Sequence, residues 1–215
     1  MGCKTVAANL ALSAAMAMSL ALPAMAGESV LYGFSEANGV PEARLLLKGG
    51  ALYGTVTSGG SGSYGSVFEL QNSGGTRQET TLFSFDGSDG QDPLAGLTAG
   101  KGGVLYGTSG TGGADQGGTV FMLKKSGKKG WTEQTIWNFA TYDQQPNCDL
   151  VVDSTGAIYG TTVQGGAYGY GTVFELTQSG GVWTETASQL RPERGRGLAA
   201  FQRCSLWHND LWRDP

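Results

Sequence analysis

An all-β fold of tandem four-stranded antiparallel units, arranged as a partial, open β-propeller of about three blades, is what this sequence predicts. Three observations carry that reading. A block recurs at a fixed interval of 53 residues. The strands inside the block are apolar on both faces. And no amphipathic helix of useful length is present to cover them.

The interval is read from "ALYGTVTSGG" (51–60), "VLYGTSGTGG" (104–113) and "AIYGTTVQGG" (157–166), in which Tyr53, Tyr106 and Tyr159 stand 53 residues apart. Downstream, "GSVFEL" (65–70), "GTVFML" (118–123) and "GTVFEL" (171–176) place Phe68, Phe121 and Phe174 at the same interval. Upstream, "VLYGF" (30–34), "TLFSF" (81–85) and "TIWNF" (135–139) open each unit, and Pro41, Pro93 and Pro146 follow each opener. The 37 glycines are therefore periodic and not low-complexity filler. The units run approximately over 30–80, 81–134 and 135–186.

Within the second unit four short runs suit strands: Gly96–Ala99, Val104–Thr108, Gly118–Leu123 and Glu133–Phe139. The first two are joined by the Gly-rich turn "GKGG", which reads as a hairpin. In the third run Val120 and Met122 share one face, while Thr119, Phe121 and Leu123 share the other. A strand apolar on both faces needs a sheet above and a sheet below. Sheet must pack on sheet. A parallel β-helix is the rival all-β repeat, but its coils repeat at shorter intervals. Gly54, Gly107 and Gly160 follow the tyrosines, where a missing side chain admits a neighbouring blade or backbone. Gly59-Gly60, Gly112-Gly113 and Gly165-Gly166 mark turns that need positive φ. The tyrosines themselves are expected as aromatic filling between blades, with stacking on sugars as the sharper alternative.

The N-terminus reads as a secretory signal over 1–26. Lys4 gives the positive start, Val6 to Leu22 a small-residue apolar run, and "AMA" a cleavage site between Ala26 and Gly27. The expected location is secreted, periplasmic or cell-surface in a bacterium. Residues 27–186 form the β-repeat domain. Without the signal the chain carries 13 basic and 18 acidic residues, a net charge of −5, which argues against a nucleic-acid partner. Cys148 and Cys204 are then the only cysteines, too few for a disulfide scaffold.

Residues 187–215 break the pattern, with five of the seven arginines and the only histidine, His208. A basic tail is one account. A translation out of frame is the other. Read one base later with permitted codons, "SLWHNDLWRDP" (205–215) becomes Leu-Tyr-Gly-Thr-Thr-Thr-Tyr-Gly-Gly-Thr, the repeat's own signature. "SQLRPERGRG" (188–197) becomes Ala-Asn-Phe-Gly-Gln-Asn-Gly-Asp-Gly, similar to "LFSFDGSDG". His208, Trp207, Trp212 and Cys204 are thus not expected to form a site.

The block "LYGTT…GG…GTVFEL…F", preceded by "DGQDPLAGL" or "NCDLVVDSTG", resembles the GloVer-type (gloeo/verruco) tandem repeat of bacterial exported proteins over Val30 to Thr186. The resemblance implies a secreted or surface-anchored repeat protein, often with a C-terminal sorting signal or anchor. It brings no catalytic set to carry over, and this chain departs from the pattern in its few units and in showing no recognisable anchor.

Chemistry-bearing candidates read blandly. "DGSDGQD" (Asp86, Asp89, Asp92) lacks calcium-loop spacing and reads as a solvated turn. Cys148 aligns with Ala95 and reads as a small buried thiol without an in-frame histidine to activate it. "KKSGKK" (124–129) reads as an exposed hairpin that discourages edge pairing. Glu69 and Glu175 recur, but Met122 stands between them. No catalytic residue, cofactor or metal is expected. A non-enzymatic role in binding or cell-surface structure follows, as a fragment of a longer repeat protein, with an enzyme acting on an extracellular carbohydrate or other polymer as the alternative. The expected partner is a glycan or other surface ligand, or another copy through open blade faces. Three units fall short of the roughly 4–8 blades that close a ring.

Overall fold

The computed structural model describes residues 29–127, 130–140 and 145–189. The expected signal sequence with its Ala26–Gly27 cleavage site, and the tail with Cys204, Trp207, His208 and Trp212, lie outside them. The chain divides into two compact units, Met1–Val30 and Leu31–Pro215. Of the shorter, only Ser29 and Val30 are described, without regular structure.

The longer unit holds three four-stranded antiparallel sheets, each in simple sequence order. The first comprises β1 (Leu46–Lys48), β2 (Ala51–Val56), β3 (Ser66–Ser73) and β4 (Thr76–Ser84). The second comprises β5 (Thr98–Ala99), β6 (Leu105–Ser109), β7 (Gln116–Lys125) and β8 (Trp131–Ala140). The third comprises β9 (Val151–Val152), β10 (Ile158–Thr161), β11 (Thr172–Ser179) and β12 (Val182–Gln189). All named pairings are antiparallel, which sets a parallel β-helix aside. The second and third openers are the ends of the fourth strands of the preceding sheets, so a unit cut at either begins with its predecessor's last strand.

The two-faced strand behaves as its sequence demands. Val120 packs with Leu150, Ile158, Phe174 and Leu176 of the third sheet. Phe121 and Leu123, on the opposite face, pack with Val67 and Phe85 from the first sheet side. A third cluster joins Val56, Phe68 and Leu70 to Tyr32 and Phe34. Burying a residue of Val or Phe size contributes about 1.5–3 kcal/mol, so these layers dominate the stability of the stack.

One aromatic contact repeats in every layer. The opener phenylalanine meets the phenylalanine of the next sheet edge-on: Phe34–Phe68 at 5.0 Å, Phe85–Phe121 at 5.1 Å and Phe139–Phe174 at 5.0 Å. Edge-to-face pairs of this kind add about 0.5–1.5 kcal/mol beyond burial. The recurring proline supports the same junction. Pro93 and Pro146 lie against Gly65 and Gly118, where an added Cβ would come within 2.6 Å and 2.8 Å of the proline ring. Those glycines also have φ of 95° and 89°.

Gly54, Gly107 and Gly160 do serve a close approach, but not that of a neighbouring blade. Each is paired across the ladder with Phe68, Phe121 or Phe174 of its own sheet. A Cβ there would stand 2.5, 2.4 and 2.4 Å from the ring's Cζ, so the ring lies over the bare backbone. The doubled glycines at 59–60, 112–113 and 165–166 take positive φ in their turns.

Candidate functional site

The repeated tyrosines form one recurring polar pair. Tyr53 donates to Glu69 Oε1 at 2.5 Å and Tyr159 to Glu175 Oε1 at 2.9 Å, each pair directly opposed on neighbouring strands. In the second sheet Tyr106 faces Met122 instead. Burial first, and then the Glu69 carboxylate, push Tyr53 up to about 12. For Tyr159 the hydrogen bond to Glu175 comes first and reaches the same value, about 12. These hydroxyls stay protonated and structural at neutral pH. Tyr53 also contacts Trp131 of the following sheet, with ring centroids 6.2 Å apart, so it fills a junction.

A second recurring acid is hidden from simple alignment. Glu79, Glu133 and Glu185 stand opposite Leu70, Leu123 and Leu176. In the first sheet Asn38 donates to Glu79 Oε2 at 2.9 Å and Thr81 to Glu79 Oε1 at 3.1 Å. In the second, Thr135 donates to Glu133 Oε1 at 3.0 Å. The residue four beyond the first and second opener phenylalanines, Asn38 or Asp89, is the loop partner of this glutamate. In the second sheet that partner is acidic. Burial above all, with the Asp89 and Asp86 charges, pushes Glu133 up to about 7. Burial likewise raises Asp89, whereas the Ser88 hydroxyl holds Asp86 below the ordinary carboxylate range. Sequence reading saw Asp86 and Asp89 as a turn and missed Glu133. The recurrence was legible only once the strand pairing was known.

The turn itself is as expected. Asp86 Oδ1 accepts from Ser88 N at 2.9 Å and from Ser88 Oγ at 2.7 Å, and Asp89 Oδ1 accepts from Asp86 N at 3.0 Å. Asp92, by contrast, accepts from Thr111 Oγ1 at 3.1 Å and ties the loop to the sheet. Among the described residues no group of three or more His, Cys, Asp or Glu side chains is placed to hold a metal ion.

A third polar cluster links the first strands of the three sheets. Asp149, just ahead of β9, accepts from Gly96 N at 2.6 Å, just ahead of β5. Its other oxygen accepts from Arg44 Nε at 2.8 Å, from the segment leading into β1. One carboxylate thereby ties the starts of all three sheets. Thr98 Oγ1 adds a bond to Leu150 O at 2.6 Å.

Cys148 is buried at the alanine position, as expected of its size, but it is disulfide-bonded and not a free thiol; its partner lies outside the described residues. Of "KKSGKK", Lys124 and Lys125 are exposed at the end of β7, and Lys128 and Lys129 are outside the described residues.

A family model described as the Gloeobacter/Verrucomicrobia repeat matches residues 21–146. No curated protein and no solved structure matches the chain. The match spans more than half of the 215 residues and covers the first two repeated sheets through their shared junction, so this protein belongs to the Gloeobacter/Verrucomicrobia repeat family.

Proposed function

We propose that this is an exported protein, secreted, periplasmic or held at the cell surface, with a non-enzymatic role in binding a glycan or other surface ligand or in surface architecture. Its sheets are proposed to be blades of an open β-propeller. The observation that carries the binding role is the division of labour within the repeat. The residues that recur most faithfully (Tyr53, Phe68, Gly54 and their equivalents) are occupied in packing, while the loop residues after each opener differ from unit to unit. A scaffold with constant junctions and variable loops suits recognition. Support for blades comes from contacts between β5 and β9, between β4 and β8, and from the Asp149 cluster at the inner strands.

The test is a glycan array probed with the mature protein, run beside turnover assays on the same polymers. Binding without turnover is the expected result. Sustained turnover would sink the non-enzymatic role.

One observation favours a polymer-cleaving enzyme as the second reading. Glu133, pushed up to about 7, shares its surroundings with Asp86, held low, and carboxyls driven apart in this way suit an acid and an ionised partner. On that reading Glu133→Gln abolishes turnover.

A further inference from the structure

Each junction between consecutive sheets has two sides, and the described residues hold one unmatched example of each. The earlier sheet contributes a valine on its third strand: Val67 and Val120 are both at 0% exposure beneath the sheet that follows. Val173, at the same register in β11, is 38% exposed, and Val151, opposite Tyr159 on the far side of β10, is exposed on the same face. The later sheet contributes a leucine just ahead of its first strand. Leu97 and Leu150 are each 1% exposed, whereas Leu45, their equivalent ahead of β1, is 44% exposed. Among the described residues the third sheet thus has a giving face with no successor, and the first a receiving face with no predecessor.

The fourth strands add an independent observation. β4 and β8 each carry a bulge, at Val67/Phe68 and Val120/Phe121, that sets Phe83 opposite Val67 and Trp137 opposite Val120. β12 has no such bulge and sets Ser188 opposite Val173. The missing pattern lies at the other end of the repeat domain. Leu31, Tyr32, Gly33 and Phe34 correspond to Leu82, Phe83, Ser84 and Phe85. The rings agree: Tyr32–Phe34 at 5.0 Å and 84°, Phe83–Phe85 at 5.3 Å and 86°. Yet Leu31–Phe34 pairs with no strand among the described residues, and Leu31 is exposed.

Resting on the stacked-blade arrangement proposed above, we propose that two copies of this chain associate head to tail, the exposed face of the third sheet of one receiving the first sheet of the other. Leu31–Phe34 of the incoming copy adds to β11, with Tyr32 opposite Val173, in place of the end of β12. A second copy is the occupant because this one chain supplies both halves of the junction. The contact is heterologous, so it closes into a ring or continues as an open chain. Two copies bring six sheets together, within the roughly 4–8 that close a propeller.

Sedimentation velocity on the mature protein, at concentrations from about 1 to 100 μM, is the test; that range spans micromolar association. A concentration-dependent dimer, or a longer chain, is expected. Val173→Asp, at a site already exposed in the single chain, should weaken association by roughly tenfold or more with an unchanged circular dichroism spectrum. Hydrogen exchange on the unmodified protein supplies a readout that does not depend on the variant folding. The amides of Leu31–Phe34 should gain protection as concentration rises. A monomer throughout the range, an assembly indifferent to Val173→Asp, or unprotected 31–34 amides in the assembled state would each overturn the inference. So would association that requires a different repeat protein. Glycan turnover by a head-to-tail dimer would refute the proposed function alone, and a glycan-binding monomer would refute this inference alone.

Discussion

Gly107 lies beneath the ring of Phe121, and the space for one methyl group is absent: an added Cβ would stand 2.4 Å from Cζ. The ring is fully buried between two sheets and has no free direction in which to move. Gly107→Ala should therefore destabilise the fold by about 1–3 kcal/mol, the usual cost of overpacking. Denaturant unfolding checks this, and a neutral result would mean that the junction is looser than its burial indicates. Glu133 makes a second residue-level prediction, through pH. Its value of about 7 in the fold exceeds the ordinary 4.5, so the native state holds a proton that the unfolded chain releases. The stability it contributes is present below pH 4.5 and is lost as pH rises through 7. Melting temperature should fall across that window in the wild-type protein and fall less in Glu133→Gln, which should also melt higher above pH 7. Coincident profiles would refute the assignment.

At the scale of elements, the polar tie between the first strands of the sheets can be divided by magnitude. Arg44 is 54% exposed, and an exposed ion pair contributes about 0–1 kcal/mol. The bond from Gly96 N to Asp149 is shorter and part-buried, and leaving such a donor unsatisfied costs about 1–3 kcal/mol. Asp149→Ala should accordingly lower stability more than Arg44→Ala, measured by thermal unfolding of the two variants. Equal costs would place the energy in the ion pair instead. Strand position was largely legible beforehand. The four runs of the second unit agree with β5 to β8 to within a few residues, because alternation and flanking turns are local signals. The bulges were not legible. A bulge adds one residue to one strand, and only its partner strand reveals the mismatch. Glu79, Glu133 and Glu185 did not align as one recurring position for a separate reason: the turn between Lys125 and Trp131 is longer than those between Ser73 and Thr76 and between Ser179 and Val182.

At the scale of the molecule, the described residues form three sheets joined by two complete junctions and leave two half-junctions with exposed apolar residues, on which the proposed association rests. The repeat interval, the two-faced strands and the glycine positions were determined by the sequence alone, since each follows from steric and hydrophobic patterns within about fifty residues. Which ring lies over Gly54, Gly107 and Gly160 was decided only by the tertiary structure. So were the place of the second and third openers as the last strands of the preceding sheets, and the half-buried acid at Glu133. All three depend on groups brought together across strands or sheets, where burial and neighbouring charge, not residue type, set the chemistry.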